Sequence, residues 1–358
     1  MVVYILDSNF DVIDCIEDYI SLIWTTRYSK RGDFEIMVKA SRENVQKLRK
    51  GRYLVREYDI NGTYRENVMI VQNVQIQTDV ENGDNFIVSG YDLKDIIHRR
   101  VIMGQTIFNN SPVRTAIYSL LSNHLISPVD TNRTVSDFVF DLTPSIGSDV
   151  YMTSQVTGDN LGDYIEELLE KNGYGYKVYV ESGVMYMTLT EGTDRSTEQS
   201  INPFVVFSEG FDNLLSTDYS ENMNDYANAA YVAGEGEGFE RRILPVGNAQ
   251  GLDRHEIWVD ARDISSNEGE ISDTEYNNML TNRGNEYLSE HGITTLFDGN
   301  VNNNVNYQYG VDYFLGDIVQ VITEYGISLP ARITEIIESD DTTGSMMLPT
   351  FEYKGGMQ

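Results

Sequence analysis

Cysteine is almost absent. The single Cys15 among 358 residues excludes an intramolecular disulfide framework and a multi-cysteine zinc site. It lies in the apolar run "FDVIDCIEDYI", where it reads as a small hydrophobe in a strand. No Gly or small-residue elbow stands beside it to make a nucleophile of the thiol. Histidine is scarce as well, at His98, His124, His255 and His291. No two of them are spaced i, i+4, and neither HExxH nor GxSxG occurs, so no catalytic residues, cofactor or metal are expected. No apolar run approaches the roughly 18 residues that cross a bilayer. The start, "MVVYILDSNFDVID", has no basic segment ahead of its apolar one, so neither a signal peptide nor a membrane anchor is expected. Positive charge is short too: 26 Lys and Arg face 56 Asp and Glu, a formal net charge of -30. Tight DNA binding needs cations against phosphates, which this surface lacks. An acidic wall suits DNA only where DNA must slide past without sticking; otherwise it gives a soluble, self-repelling surface.

Aromatic and strand-forming residues are what the chain does have. Tyrosine reaches 24 against 2 tryptophans, rings with a polar handle that suit half-wet strand faces. The first hundred residues alternate strands and turns: "VVYILD", "FDVIDCI", then a hairpin turning at Ser29 to Gly32. A short helix over 41–48, capped by Ser41, carries Val45 and Leu48 on one face. Strands resume, with turns at Asn61-Gly62 and at Asn82-Gly83-Asp84.

The pattern changes near Val101. Ser111 and Pro112 read as an N-cap and first helical residue, followed by Val113, Ala116, Ile117, Leu120, Leu121 and His124 at helical spacing. His124 is expected to be a satisfied core or interface histidine; His98, with Arg99 and Arg100 a small basic patch that could bind an acidic neighbour, reads rather as a solvated strand end. A second helix from Asn160 shows Leu161, Tyr164, Ile165, Leu168 and Leu169 on one side and stops at Gly173. A hairpin turning at Glu181-Ser182-Gly183 completes an α/β insertion, closed by the polar tract "EGTDRSTEQSINP". From Phe204 strands return, with a helix over 272–291 opened by a Ser272/Glu275 capping box, and a final pair of strands around Tyr325-Gly326. The expected architecture is therefore mainly β: an N-terminal β-domain over 1–100, an α/β insertion over 101–203, and a second β-domain over 204–358. Strands, helix and strands recur at both ends, which suggests a duplicated β-domain.

The glycine-rich run Gly234 to Arg242, with Gly234, Gly236 and Gly238, lacks the Lys-Ser/Thr of a phosphate loop, and its glutamates repel phosphate. It reads as a mobile hairpin tip at an interface. The loops "SDDTTG" and "DNLGD" carry oxygen ligands without the twelve-residue EF-hand spacing.

The order of "YVAGEGEG", "HEIWVDARDI", "MLTNRGNEYLSEHG" and "YQYGVDYFLGDIVQVITEYGISLPARITEIIESD" resembles the siphophage Gp37-like family of phage and prophage tail proteins, related to gp27-like baseplate hubs. The likeness is sharpest at Asp260, Ala261, Arg262 and Asp263 and at Leu315, Gly316 and Asp317. It implies two tail-tube-like β-barrel or sandwich domains, each with a packed helix, in a subunit that trimerises into a ring. It also implies a structural role without catalytic residues in the tail tip of a virion assembled in the bacterial cytoplasm. The implied partners are the distal tail ring, tail tube and tape-measure proteins and tip fibre or receptor-binding proteins, with DNA only in transit. Two other readings stay open on residues alone: a host-surface glycan-binding module, and a tail-tip cell-wall hydrolase working through paired carboxylates.

Overall fold

The computed structural model describes residues 1–78, 83–266, 269–301 and 306–354. Asn82 of one expected turn therefore lies outside the described residues. Alternation organises the N-terminal strands. Leu22 and Trp24 on Ser21–Arg27 stand opposite Ile36 and Phe34 on Asp33–Lys39, and Val38 and Ile36 meet Phe86 and Val88 on Asn85–Tyr91. All seven are buried, so one sheet face is a continuous apolar layer. A second, four-stranded sheet covers it, ordered Val12–Ile16, Val3–Leu6, Tyr53–Arg56, Met69–Ile70.

The largest sheet has 11 strands and joins the two ends of the chain. Its main path runs Leu214–Asn222, Thr294–Val301, Gly344–Lys354, Ser328–Asp341, Ser21–Arg27, Asp33–Lys39, Asn85–Tyr91, Asn73–Gln77. The 14-residue strand Ser328–Asp341 is the hinge pin. Its first part pairs with Ile318–Ile322, and after a bulge near Ile333 its second part pairs Glu335–Asp341 with Arg27–Ser21. Ile318–Ile322 in turn takes Asp194–Arg195 and Val206–Ser208 as parallel neighbours. The polar tract 191–203 is thus part strand, drawn into the largest sheet.

Five helices are described. Helix α1 (Arg42–Lys47) is capped by Ser41, whose side chain accepts from the Asn44 N–H; Leu48 is buried while Val45 stays exposed. Helix α2 (Asp95–His98) ends the N-terminal segment. Helices α3 (Val113–Leu121) and α4 (Leu161–Lys171) bury the apolar faces expected of them. Helix α5 (Asp273–Glu290) carries the full capping box.

Two expectations need correcting. Ser111 and Pro112 do not open α3; they end the strand Thr106–Pro112, opposite Met152 and Tyr151 of Tyr151–Val156, and α3 begins at Val113 with no side-chain cap. The Val113 N–H donates to the Val150 carbonyl, so cross-strand pairing supplies what a cap would have. The C-terminal stretch also holds three strands: "SDDTTG" is a hairpin turn into Gly344–Lys354.

Among residues 223–266 and 269–293 a separate small sheet forms. The paired ends Asn222 and Thr294 close the base of this module, and α5 packs on its own three-stranded sheet of Ile243–Val246, Ala229–Ala233 and Glu256–Asp260. Ala230, Val232, Val246, Val259, Tyr276, Met279 and Leu280 form its core.

Candidate functional site

Tyr28, between Ser21–Arg27 and the Ser29 to Gly32 turn, sits where stretches near residues 28, 173–192 and 316 meet. Its hydroxyl donates toward the carbonyls of Gly173 (3.2 Å) and Thr190 (3.1 Å) and accepts from the Gly192 N–H (3.0 Å). Its ring lies so close to Gly175 and Gly316 that a Cβ on either would come within 2.4 and 2.2 Å of ring carbons. Gly316 also has φ of +95°, which favours glycine. Leu315, Gly316 and Asp317 thus form the turn that closes on Tyr28. Asp317, nearly fully buried, fixes it: one carboxylate oxygen accepts from the Thr193 N–H (2.7 Å), the other from Arg195 Nε (2.8 Å) and the Phe314 N–H (3.0 Å). Arg332 donates to the Gly316 carbonyl (2.6 Å), with its guanidinium 5.4 Å from the Tyr28 ring centre. A cleft of about 700 Å³ opens beside this junction, walled by Arg27, Lys30, Lys171, Asp194, Arg332 and Tyr353 among others. Its charges are of both signs.

The seam between Ser21–Arg27 and Ser328–Asp341 is sewn by ion pairs. Arg27 pairs with both Asp33 and Glu335. Arg56, 2% exposed, bridges Asp59 (2.6 Å) and Glu338 (2.5 Å) under the Trp24 and Tyr58 rings. Burial pushes the Asp59 carboxyl up, a push that Arg56 opposes. Tyr58 donates to the other Glu338 oxygen (2.6 Å), and Tyr19 and the N-terminal amine reach Asp340.

His98 is not a solvated strand end. It closes α2, almost wholly buried, with Nδ1 3.0 Å from Asp163 Oδ1 and Nε2 2.9 Å from Glu166 Oε1. Gly162 admits the ring; a Cβ there would come within 2.4 Å of it. Among the described residues these three form the one group of His, Cys, Asp and Glu whose ligand atoms lie within 4.8 Å of one another. The carboxylates occupy opposite ring nitrogens, however, so a cation on either nitrogen would meet a single carboxylate. The arrangement fits a clamp of α4 on α2 better than a metal centre. Burial acts to raise Glu166, but His98, Tyr176 and Lys94 outweigh it and hold the carboxyl below its ordinary range. Spacing along the sequence gave no hint of this pairing, because the partners are 65 and 68 residues away. His124 is buried as expected, yet neither ring nitrogen has a hydrogen-bond partner; burial, then Arg133, lowers its pKa. That favours the neutral ring.

In the 223–293 module, Asp260 pairs with Arg241 (2.5 Å) and Ala261 is fully buried. Arg262 extends into solvent, and Asp263 takes Arg283 through two bonds of 3.2 and 2.7 Å. The Asp263 carbonyl accepts from Gln155 Nε2 (2.7 Å), which ties the module to Tyr151–Val156. Gly234 packs beneath Tyr276, while Gly236 and Gly238 take positive φ at the hairpin tip. The tip is anchored by Glu235, whose carboxylate accepts from the Ser266 N–H.

Sequence comparison over nearly this whole framework is decisive: the profile described as Siphovirus ReqiPepy6 Gp37-like protein matches residues 2–351. The chain belongs to that family. The resemblance read from the order of the sequence elements thus holds over almost the full length of the Gp37-like chain. Among curated proteins none matches. Solved structures similar to it include the tail protein from Neisseria meningitidis MC58, at 12% identity over 99% of this chain and 97% of that one, with TM-score 0.59. The prophage MuSo2 43 kDa tail protein from Shewanella oneidensis gives 12% over 98% of both, with TM-score 0.61. Prophage tail protein gp18 from Listeria monocytogenes EGD-e gives 11% over 99% and 95%, with TM-score 0.53. At these identities the likeness is one of fold. The Gp37-like chain is thus a mainly β phage-tail-type protein, and no helix among its described residues is long and apolar enough to cross a membrane.

Proposed function

We propose that this chain is a non-enzymatic hub subunit of a phage or phage-like tail tip, closing as a homotrimer into a ring that continues the tail tube. The segments 1–100 and 204–358 would be its two tube-like β-domains, with 101–203 inserted between them. Distal-tail, tube, tape-measure and tip-fibre proteins would be its partners, and DNA would only pass through.

One observation carries this reading. Strands from both segments merge into a single 11-stranded sheet whose main path ends on Asn73–Gln77 and on Leu214–Asn222. On the Asn73–Gln77 edge, Val74 and Ile76 stand in register with the buried Val88 and Phe86, yet are 39% and 55% exposed. An edge that continues a core face while showing apolar residues to water is suited to pairing with another copy. A ring of such copies removes its own edges. An acidic chain of net charge -30 suits a lumen that DNA crosses without adhering.

The test is the solution mass of the purified chain by light scattering, with negative-stain imaging of the main peak. Three chain masses and a central hole are expected. A monomer that persists at all concentrations and also with tail partners present would overturn the proposal.

A further inference from the structure

We propose that the outer face of the three-stranded sheet in the 223–293 module is a binding platform for a pyranose glycan. The proposal is independent of the hub assignment, because it rests on a face that the hub reading does not use.

The inner face of this sheet packs on α5 through Ala230, Val232, Val246 and Val259. Alternation therefore sends Ala229, Tyr231 and Ala233 outward on the central strand. The register then sets Pro245, Tyr231 and Trp258 side by side in one row across the three strands. Trp258 is 54% exposed, Pro245 is exposed and Tyr231 half-buried. On the central strand the neighbours of that row are Ala229 and Ala233, both fully buried, so the exposed surface of the row belongs to Trp258, Pro245 and part of Tyr231.

Each flank of the row carries the same device. On one side Arg241 lies 5.8 Å from the Trp258 ring centre and pairs with Asp260 at 2.5 Å. On the other, Arg254 lies 5.7 Å from the Tyr231 ring centre and pairs with Glu256 at 2.6 Å. Both guanidinium groups are also held by backbone carbonyls, Arg241 by Ala233 (2.8 Å) and Gly234 (2.9 Å), Arg254 by Ala249 (2.8 Å). Both carboxylates remain about half exposed, at 53% and 50%.

A row of rings edged by fixed donors and open acceptors matches the two-sided chemistry of a sugar. The C–H face of a pyranose lies on an aromatic ring, and its equatorial hydroxyls bridge planar charged groups in the ring plane. The flanking charges are already paired, so the face calls for a hydrogen-bonding ligand rather than a strongly charged one. Rings and guanidinium groups that are pinned before binding lose little freedom on binding.

The chain has two tryptophans, and Trp24 is fully buried, so a change in emission on adding a soluble sugar reports Trp258. The full-length chain is titrated with soluble oligomers of glucose, galactose and N-acetylglucosamine. The expected result is a saturable change in emission with at least one series. By isothermal titration calorimetry, which does not need the ring as reporter, Trp258→Ala abolishes the heat of binding while the buried Trp24 emission shows the fold intact, and Tyr231→Ala weakens binding about tenfold. If no series alters the emission at millimolar sugar, the proposal is overturned. It is overturned equally if Trp258→Ala leaves sugar binding intact, or if that change instead disrupts association with other protein chains.

Discussion

Side chains that no short motif marks carry most of the cohesion between segments. Tyr28 precedes a turn whose sequence reads only as a basic hairpin loop, yet its hydroxyl has three backbone partners, at Gly173, Thr190 and Gly192. Tyr28→Phe leaves them unpaired, and the expected loss is about 1–3 kcal/mol of unfolding free energy in urea titration. Arg56→Met strands Asp59 and Glu338 without their shared cation, so a larger loss is expected, about 3–5 kcal/mol by the same measurement. Pairing Arg56→Met with Glu338→Gln should recover part of it. At this scale the sequence was legible only where chemistry repeats at short range. The "LGD" and "DARD" residues drew notice, but their partners Tyr28, Arg195, Arg241 and Arg283 did not. His98 was misread for the same reason: its carboxylates arrive from α4, and nothing near His98 announces them.

Elements were far more legible, because alternation and caps are local. The Ser41 and Ser272 caps form, the helix expected to start at Asn160 does start there with Asn160 capping it, and the Gly173 stop takes φ +70°. Ser272→Ala should lower stability by about 0.5–2 kcal/mol, read as a fall in melting temperature. What the pattern could not give was any contact between elements. Ser111-Pro112 looked like a helix start because a partner strand is invisible to a local window, and the turn before Gly344 hid a last strand. The contact of α4 with α5 is a further case, where Glu167 faces Glu286 and Glu290, with Lys171 and Arg283 alongside. Partial desolvation between the helices first, then Glu290 and Glu286, push Glu167, which still reaches solvent, from 4.5 up to about 7. The folded chain therefore holds this proton more tightly than the unfolded one. The stabilisation is complete below about pH 4.5 and is lost as pH rises through about 7. Glu167→Gln should flatten that part of the melting temperature against pH, and an unchanged slope would show that Glu167 does not couple the helices.

For the whole molecule, composition set the class and charge set the surface, while the joining of the two ends came only from the fold. The exposed edge at Asn73–Gln77 leads to a direct expectation: Ile76→Lys should leave a folded protomer but reduce the proposed ring to single chains by light scattering. Because the free chain repels itself, moderate salt should favour assembly of the unaltered protein. The seam has one more consequence, which concerns synthesis. Arg27 and Glu335 are 308 residues apart, so the strand that completes the central sheet leaves the ribosome long after Ser21–Arg27. Until then Ser21–Arg27 presents a bare pairing edge beside the apolar layer of Trp24 and Phe34. Folding must wait on the late arrival of its closing strand. A chain released early would carry an open, sticky sheet, so premature termination should yield aggregates rather than a smaller working subunit.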